Sequence, residues 1–219
     1  MNKNYTFNSS MTYFQKYGPW VLVWVFLYSA SILQAQTFRY HQYLRNSKVG
    51  TLTAKKTVDS SGTKCVIDSD VSFNYGLGKI KVIYHAEARY ENEQMVRSKV
   101  RVEKNGKLRD YSETWRNKQG YLAKVDGEQI QLPWKEIEYS SIMLYLDEPN
   151  SGIDSIYSEA HGKKNLLIHE GQGHYKVDVT KNKNINEYHY DQGVLESAVL
   201  DHWLAAIHLK LIEKDGQKL

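Results

Sequence analysis

The feature that most constrains this chain is an alternation of apolar and polar residues with a period of two, beginning near residue 37. In residues 79–90, KIKVIYHAEARY, every even-numbered position is apolar, and the odd-numbered positions are charged or His except Ile83. Residues 37–46 alternate similarly, and in residues 95–103 the pattern assigns Val96 to the buried face. Such strands bury one face and wet the other, which is typical of antiparallel sheets. The sequence therefore predicts a mainly β fold.

Turn signals separate the predicted strands. They lie at residues 60–62, 105–106, 126–127, 171–173 and 192–193, and we interpret them as hairpin turns. Strands are expected at 63–75, 78–91 and 94–104 in a meander, then near 154–159, 165–170, 174–180, 185–190 and 194–200. Residues 203–212 have a mixed pattern, and we predict a strand rather than a helix there.

One segment interrupts the alternation. Residues 133–149, PWKEIEYSSIMLYLDEP, favour a short helix over 142–146, capped by Ser140 or Ser141 and packed over an open end of the sheet. The alternative is a pair of strands or an irregular crossing. The predicted fold class is mainly β: a strongly curved antiparallel sheet or partly closed β-barrel with one short helix.

The first 36 residues differ from the rest. They contain Lys3 and Lys16 and no acid, and residues 19–35, PWVLVWVFLYSASILQA, carry no charge. A basic start followed by an apolar stretch is typical of a secretion signal, with cleavage after Ala35 or Gln36. The alternative is an uncleaved membrane anchor. We expect residues 1–36 to be a signal peptide and residues 37–219 a single antiparallel β domain.

Charge and cysteine content narrow the function classes. Removing the two lysines of the signal lowers the formal charge from +4 to +2, which gives no indication of nucleic-acid binding. Cys65 is the one cysteine, so no intrachain disulfide can form and stability must come from the core. We expect Cys65 to be a buried structural residue.

Four longer motifs stand out: the opening TFRYHQYLRNSKVGTLTAKK, the middle piece LPWKEIEYSSIMLYLDEP, the triplet at 157–159 and the strand at 186–190. Together they resemble a family of exported, uncharacterised β-rich proteins of Gram-negative bacteria, a domain of unknown function. The resemblance covers nearly all of the chain after the signal. It implies a curved antiparallel β fold in the periplasm, and no catalytic residue.

Catalytic and metal motifs are weak. The chain has no H-E-x-x-H, no G-x-S-x-G and no phosphate loop, so we predict no catalytic residue, metal or cofactor. His169 and His174 could face each other across a turn, but two ligands make an incomplete site. Carboxylates able to support acid–base chemistry are Asp68, Asp70 and Glu148. Basic residues on strands 79–90 and 95–103 form a face that interleaved acids would largely neutralise.

An aromatic set is the candidate ligand site, and an ordinary core is its alternative. Large aromatic residues with a polar tip suit the mouth of a β concavity as well as a core. The set consists of Trp115, Trp134, Tyr139, Tyr145, Tyr157 and Trp203.

These features favour a non-enzymatic periplasmic or cell-envelope protein that binds or acts as a scaffold. Its aromatic-lined concavity would hold a lipid-like or other amphipathic molecule, or a cell-envelope protein. A carboxylate-dependent hydrolase is one alternative, and an outer-membrane β-barrel is another. Neither nucleic acid nor any membrane contact beyond an uncleaved signal is expected.

The signal interpretation predicts that the mature protein begins at Gln36 or Thr37. Intact-mass measurement of protein recovered from the cell envelope tests this. A mass that retains residues 1–35, with the protein held in the membrane fraction, would instead support the anchor.

Overall fold

A computed structural model describes residues 34–76, 78–179, 184–201 and 206–219. In these ranges the chain forms fifteen strands and one short 3-10 turn. The strands are β1 Gln34–Leu44, β2 Ser47–Asp59, β3 Gly62–Tyr75, β4 Gly78–Glu91, β5 Gln94–Lys104, β6 Lys107–Asn117, β7 Gly120–Val125, β8 Glu128–Leu132, β9 Ser155–Ser158, β10 Lys163–Gly171, β11 His174–Val179, β12 Asn184–Asp191, β13 Val194–Leu200, β14 Ile207–Lys214 and β15 Gln217–Lys218.

All the strands belong to one antiparallel sheet. Its order is β8-β7-β6-β5-β4-β3-β2-β1-β14-β13-β12-β11-β10-β9, with β15 paired to β14. Two meanders, β1–β8 and β9–β14, therefore join where β1 pairs with β14. The mainly β, antiparallel prediction is confirmed, as are the strands at 63–75, 78–91 and 94–104.

Strands β8 and β9 end the sheet and are not paired with each other, so strand pairing does not show a closed barrel. Side chains nevertheless connect the two ends. The hydroxyls of Thr114 on β6 and Tyr157 on β9 lie 2.7 Å apart. The Ser112 hydroxyl donates to the Glu159 carbonyl oxygen over 2.6 Å. The inner faces of β6 and β9 therefore meet.

The prediction that Val96 lies on the buried face of β5 is wrong, because the strand contains a β-bulge. The β4–β5 register shifts between Arg89 and Tyr90, so Tyr90 pairs with Met95. The extra residue is accommodated near Val96, which is only partly buried, whereas Met95 is completely buried. Strict alternation misses this, because a bulge puts two residues opposite one.

The prediction of a short helix over 142–146, capped by Ser140 or Ser141, is wrong. The segment contains only a 3-10 turn, Met143–Tyr145, whose N-cap residue is Ile142 and which has no side-chain cap. Ser140 and Ser141 instead donate their hydroxyls to the carboxylate of Glu159. No helix among the described residues is long and apolar enough to cross a membrane.

Residues 133–154, here called the crossing segment, run from β8 to β9 across the inner face. Ile142, Leu144 and Leu146 of this segment are at most 4% exposed. They pack with inner-face side chains such as Tyr40 and Ala86 in one continuous core. The crossing segment therefore packs along the inner side of the sheet. It does not lie over an open end of the sheet, as was predicted.

The two terminal strands differ in how their outer edges are treated. The crossing segment runs parallel to β9 through the bridge Ser140–Tyr157. Ser141 N donates to Tyr157 O over 2.8 Å, and Tyr157 N donates to Tyr139 O over 3.1 Å. For β8, the backbone hydrogen bonds of the described residues run to β7 alone. As far as the described residues show, the edge of β9 is thus covered and that of β8 is open.

If the crossing segment supplies core packing, Leu144→Ala should destabilise the fold strongly. Leu144 is 0% exposed, and removal of a fully buried leucine side chain costs about 2–5 kcal/mol. Urea unfolding measures this. The matched control is Leu166→Ala, at a side chain 49% exposed, which should change the free energy of unfolding by less than about 0.5 kcal/mol. Equal effects would contradict the assignment.

Candidate functional site

Tyrosine hydroxyls hold the crossing segment to the sheet. Its irregular backbone lies in the core, where an unpaired carbonyl is costly. Tyr190 on β12 donates to Leu144 O over 2.5 Å, and Tyr40 on β1 donates to Tyr145 O over 3.2 Å. Tyr175 on β11 donates to Pro149 O over 3.0 Å. Each hydroxyl therefore replaces a backbone partner that an irregular segment lacks.

The most unusual group in the core is the carboxylate of Glu159, which follows β9 and is 1% exposed. It accepts hydrogen bonds from the hydroxyls of Ser140 and Ser141 and from Ile142 N at 3.2 Å. Tyr90 of β4 extends this network, with its hydroxyl 2.6 Å from Ser140 Oγ. One side chain thus joins the crossing segment to the residues after β9.

Burial dominates the electrostatics of Glu159. Loss of hydration raises the pKa of its carboxyl above the ordinary 4.5, although the serine hydroxyls and Ile142 N act in the opposite direction. Burial also raises the pKa of Tyr90 well above its usual value, and the nearby Glu159 adds to this. A carboxylate so enclosed cannot meet a substrate, so its arrangement is suited to fastening the crossing segment.

The predicted aromatic set divides between the core and the surface. Tyr157 is completely buried, and Trp134 packs edge-on against it with ring centroids 5.9 Å apart. Tyr139 is buried and donates to Asp147 O over 2.6 Å, and Tyr145 packs edge-on against Tyr188 at 6.3 Å.

Trp115 does not join the aromatic residues of the core. Trp115 is partly buried and pairs across the sheet with Arg97 and Leu122. It alternates with the inward-facing Ser112 and Thr114, so it lies on the outer face. Trp203 lies outside the described residues. Tyr139, Tyr145, Tyr157 and Trp134 thus belong to one core cluster, in which Trp134 contacts Tyr157 and Tyr145 contacts Tyr188.

The carboxylates considered for acid–base chemistry do not converge. The side chains of Asp68 and Asp70 are 64% and 59% exposed on the outer face. Asp68 lies 2.7 Å from His85 Nδ1, and Asp70 pairs with Lys81 at 3.1 Å. Glu148 accepts a hydrogen bond from the Tyr175 hydroxyl at 2.9 Å. These contacts give ordinary surface pairs rather than a catalytic pair.

The basic face is neutralised as the interleaved acids suggest. Arg97 pairs with Glu113, and Arg101 pairs with Glu103. Cys65 is a free, fully buried thiol, and burial raises its pKa to about 12. It therefore remains protonated and unreactive at neutral pH.

His169 and His174 do not face each other across the turn between β10 and β11. His169 stacks on Tyr175 with centroids 4.6 Å apart, and His174 contacts His189 instead of His169. The β10–β11 register shifts after His169, which separates the two predicted partners. Among the described residues there is no group of three or more His, Cys, Asp or Glu side chains placed to hold a metal ion.

Two shallow depressions are present at the surface. One, of about 240 Å³, lies mainly among outward side chains of β2, β3 and β4, including Thr53, Asp68 and Ile83. The other, of about 280 Å³, lies between the crossing segment and β10, with Glu136, Ile153 and Lys164 in its lining. Both fall below the roughly 300–1,000 Å³ of ordinary small-molecule sites.

Sequence reasoning singled out neither the buried role of Glu159 nor the tyrosine hydroxyl contacts. The serines that bind Glu159 are 18 and 19 residues away, on an irregular segment. No periodic pattern records such a contact. The one available signal is that Glu159 follows SIYS, a strand without any charge in which three of the four residues are buried.

The network predicts a pH-dependent difference between the wild type and Glu159→Gln. The folded state raises the pKa of Glu159, so the folded protein retains a proton that the unfolded chain releases. The wild type should therefore lose stability relative to the Gln variant as pH rises above about 4.5, levelling off above the folded-state pKa. Urea unfolding at a series of pH values measures this.

Tyr90→Phe is the control, because it removes a neutral partner of the same network. This substitution should lower the free energy of unfolding by about 1 kcal/mol at every pH in that range. A wild-type minus Glu159→Gln difference that stays constant or grows with pH would refute the raised pKa.

Comparison with known proteins identifies a family but no activity. The family model described as a domain of unknown function, DUF6134, matches residues 40–212. No curated protein and no solved structure gives a significant match to the chain. The expectation of an uncharacterised family is thus confirmed, while export stays a prediction. The match spans most of the chain and nearly the whole sheet, and the chain belongs to the DUF6134 family.

Proposed function

We propose that this protein is an exported, non-enzymatic binding or scaffold protein of the cell envelope that pairs its open β8 edge with an extended segment of a partner protein. The observation that carries the proposal is the asymmetry of the sheet. Its inner face and its β9 edge are occupied by the crossing segment, whereas the β8 edge is left without a partner among the described residues.

The register of the β7–β8 hairpin identifies the backbone groups at the open edge. Asp126 and Gly127 form a two-residue turn with positive φ at both positions, and Val125 pairs with Glu128. Hydrogen-bonded pairs alternate with non-bonded pairs along an antiparallel ladder. Gln129 and Gln131 therefore direct their N–H and C=O groups away from β7, towards the open edge.

The side chains of β8 do little to prevent pairing. The strand reads EQIQL, and its first four residues are exposed. Natural sheet edges are commonly protected by lysine, proline or a bulge, and β8 has only its short length and Glu128. Ile130, 41% exposed, is paired with Ala123 and shares the inner-face side of the sheet with Leu132, where it gives a partner strand an apolar contact. Addition of a strand to such an edge is a common mode of peptide recognition.

The same geometry gives less support to the aromatic concavity for an amphipathic small molecule. Tyr139, Tyr145 and Tyr157 pack within the core, and the depression beside Tyr139 has a volume of about 280 Å³. The hydrolase alternative lacks converging acids, since Asp68 and Asp70 pair with His85 and Lys81. A partner protein is therefore the better supported occupant.

Export is compatible with the position of β1. The strand begins at Gln34 and pairs with β2 along its whole length. Cleavage after Ala35 or Gln36 would remove two or three residues from its start and leave the pairs from Thr37–Lys55 onward in place. A periplasmic or cell-envelope partner then follows from the compartment.

A photo-crosslinking side chain at Ile130 tests the edge in intact cells. We expect a crosslinked product of discrete size, because a strand paired with β8 would lie beside this position. Gln129→Pro should abolish the product, because proline removes an edge N–H without breaking the β7–β8 ladder. Gln129→Ala keeps that N–H and should preserve the product.

The crosslinker at Leu108, an exposed outer-face position on β6, controls for random collisions. Thermal unfolding of each variant checks that the fold is kept. Equal crosslinking from Ile130 and Leu108, or a product that withstands Gln129→Pro, would refute edge pairing.

A further inference from the structure

A pair of histidines faces each other across β11 and β12. His174 and His189 occupy directly opposed positions, and their ring centroids are 4.2 Å apart with an interplanar angle of 81°. His174 is exposed and His189 is partly buried. Their neighbours Tyr175 and Tyr188 point inward, so the histidine pair lies on the outer face of the sheet.

The ring nitrogens of this pair are available, unlike those of several other histidines. Among the described residues, His41 Nε2 contacts Lys48 Nζ, His85 Nδ1 contacts Asp68, and His161 Nδ1 contacts Ser158 Oγ. The ring contact between His174 and His189 is the interaction recorded for this pair in the described part of the chain. Their nitrogens are therefore not committed to another partner there.

The spacing of the rings is close to what one shared metal ion requires. Imidazole nitrogens bind zinc at about 2.0–2.1 Å. Two rings on one ion, at right or tetrahedral angles, would have centroids roughly 4.5–5.2 Å apart at this bond length. The observed 4.2 Å differs from this range by about 0.3–1 Å, and side-chain rotation would have to bring one nitrogen of each ring onto the ion. The two paired strands thus place the two imidazole rings beside each other.

The charges around the pair do not oppose a cation. Lys176, two residues from His174 on the same face, pairs with Glu170 at 2.8 Å and lies 3.8 Å from Glu187. On the next strand, Ser197 is opposite His189, and the register shift beside it leaves Glu196 exposed. The positive charge of Lys176 is therefore balanced by carboxylates.

We propose that His174 and His189 form a surface binding site for one divalent transition-metal ion of the zinc and copper class, with water completing the coordination. Imidazole nitrogen is a preferred ligand for these ions. Two protein ligands make the site weaker than a structural zinc site, and suit it to reversible binding. The site lies on β11 and β12, apart from the β8 edge, so it is independent of the proposed function.

Calorimetric titration of the untagged protein with Zn²⁺ alone tests the site. We expect saturable binding of one ion per chain that depends on this pair. His174→Ala and His189→Ala should each weaken the binding at least roughly tenfold, since each removes one of two protein ligands. His174→Gln and His189→Gln, which keep a polar side chain at the surface, should weaken it similarly.

His208→Ala is the matched control, because His208 is an exposed histidine on β14 and is expected to leave Zn²⁺ binding unchanged. Imidazole resonances followed by NMR during the titration should shift for His174 and His189. Absence of saturable binding at millimolar Zn²⁺, or binding that survives all four substitutions of the pair, would overturn the proposal.

Discussion

The fold depends on satisfying the polar backbone of an irregular segment inside a sheet. The crossing segment fills the inner face with Ile142, Leu144 and Leu146, but it lacks the ladder that satisfies a strand. Hydroxyls of Tyr40, Tyr175 and Tyr190 and the carboxylate of Glu159 supply the missing partners. A buried polar group costs free energy unless it is hydrogen-bonded, so these contacts allow the core to close.

This arrangement explains the high tyrosine content better than strand propensity alone. A tyrosine on the inner face buries its ring in the core and extends its hydroxyl to a carbonyl of the crossing segment. Phenylalanine would give the same apolar contact and leave the carbonyl unpaired. Tyr139, Tyr145 and Tyr157 of the predicted ligand-binding set pack in the core, and the hydroxyls of Tyr139 and Tyr157 already have hydrogen-bond partners.

Because the inner face is filled, the features proposed to take part in binding lie at the edge and on the outer face of the sheet. The sheet's outer face carries ion pairs such as Arg97–Glu113 and Lys81–Asp70, which neutralise one another in place. Within the described ranges, two features stand out from this balanced surface: the β8 edge without a backbone partner and the histidines of β11 and β12 that contact only each other. One suits a protein partner and the other suits a metal ion, and neither needs a concave pocket.

The local sequence determined the strands, their turns and most of the inner-face residues, because alternation and turn chemistry depend on near neighbours. Thus 63–75, 78–91 and 94–104 were predicted closely, whereas the bulge that buries Met95 was not. Only the tertiary structure decided that β1 pairs with β14, that Glu159 binds Ser140 and Ser141, and that His174 faces His189. These contacts join residues far apart in the chain, and their energy comes from burial and geometry that no local pattern records.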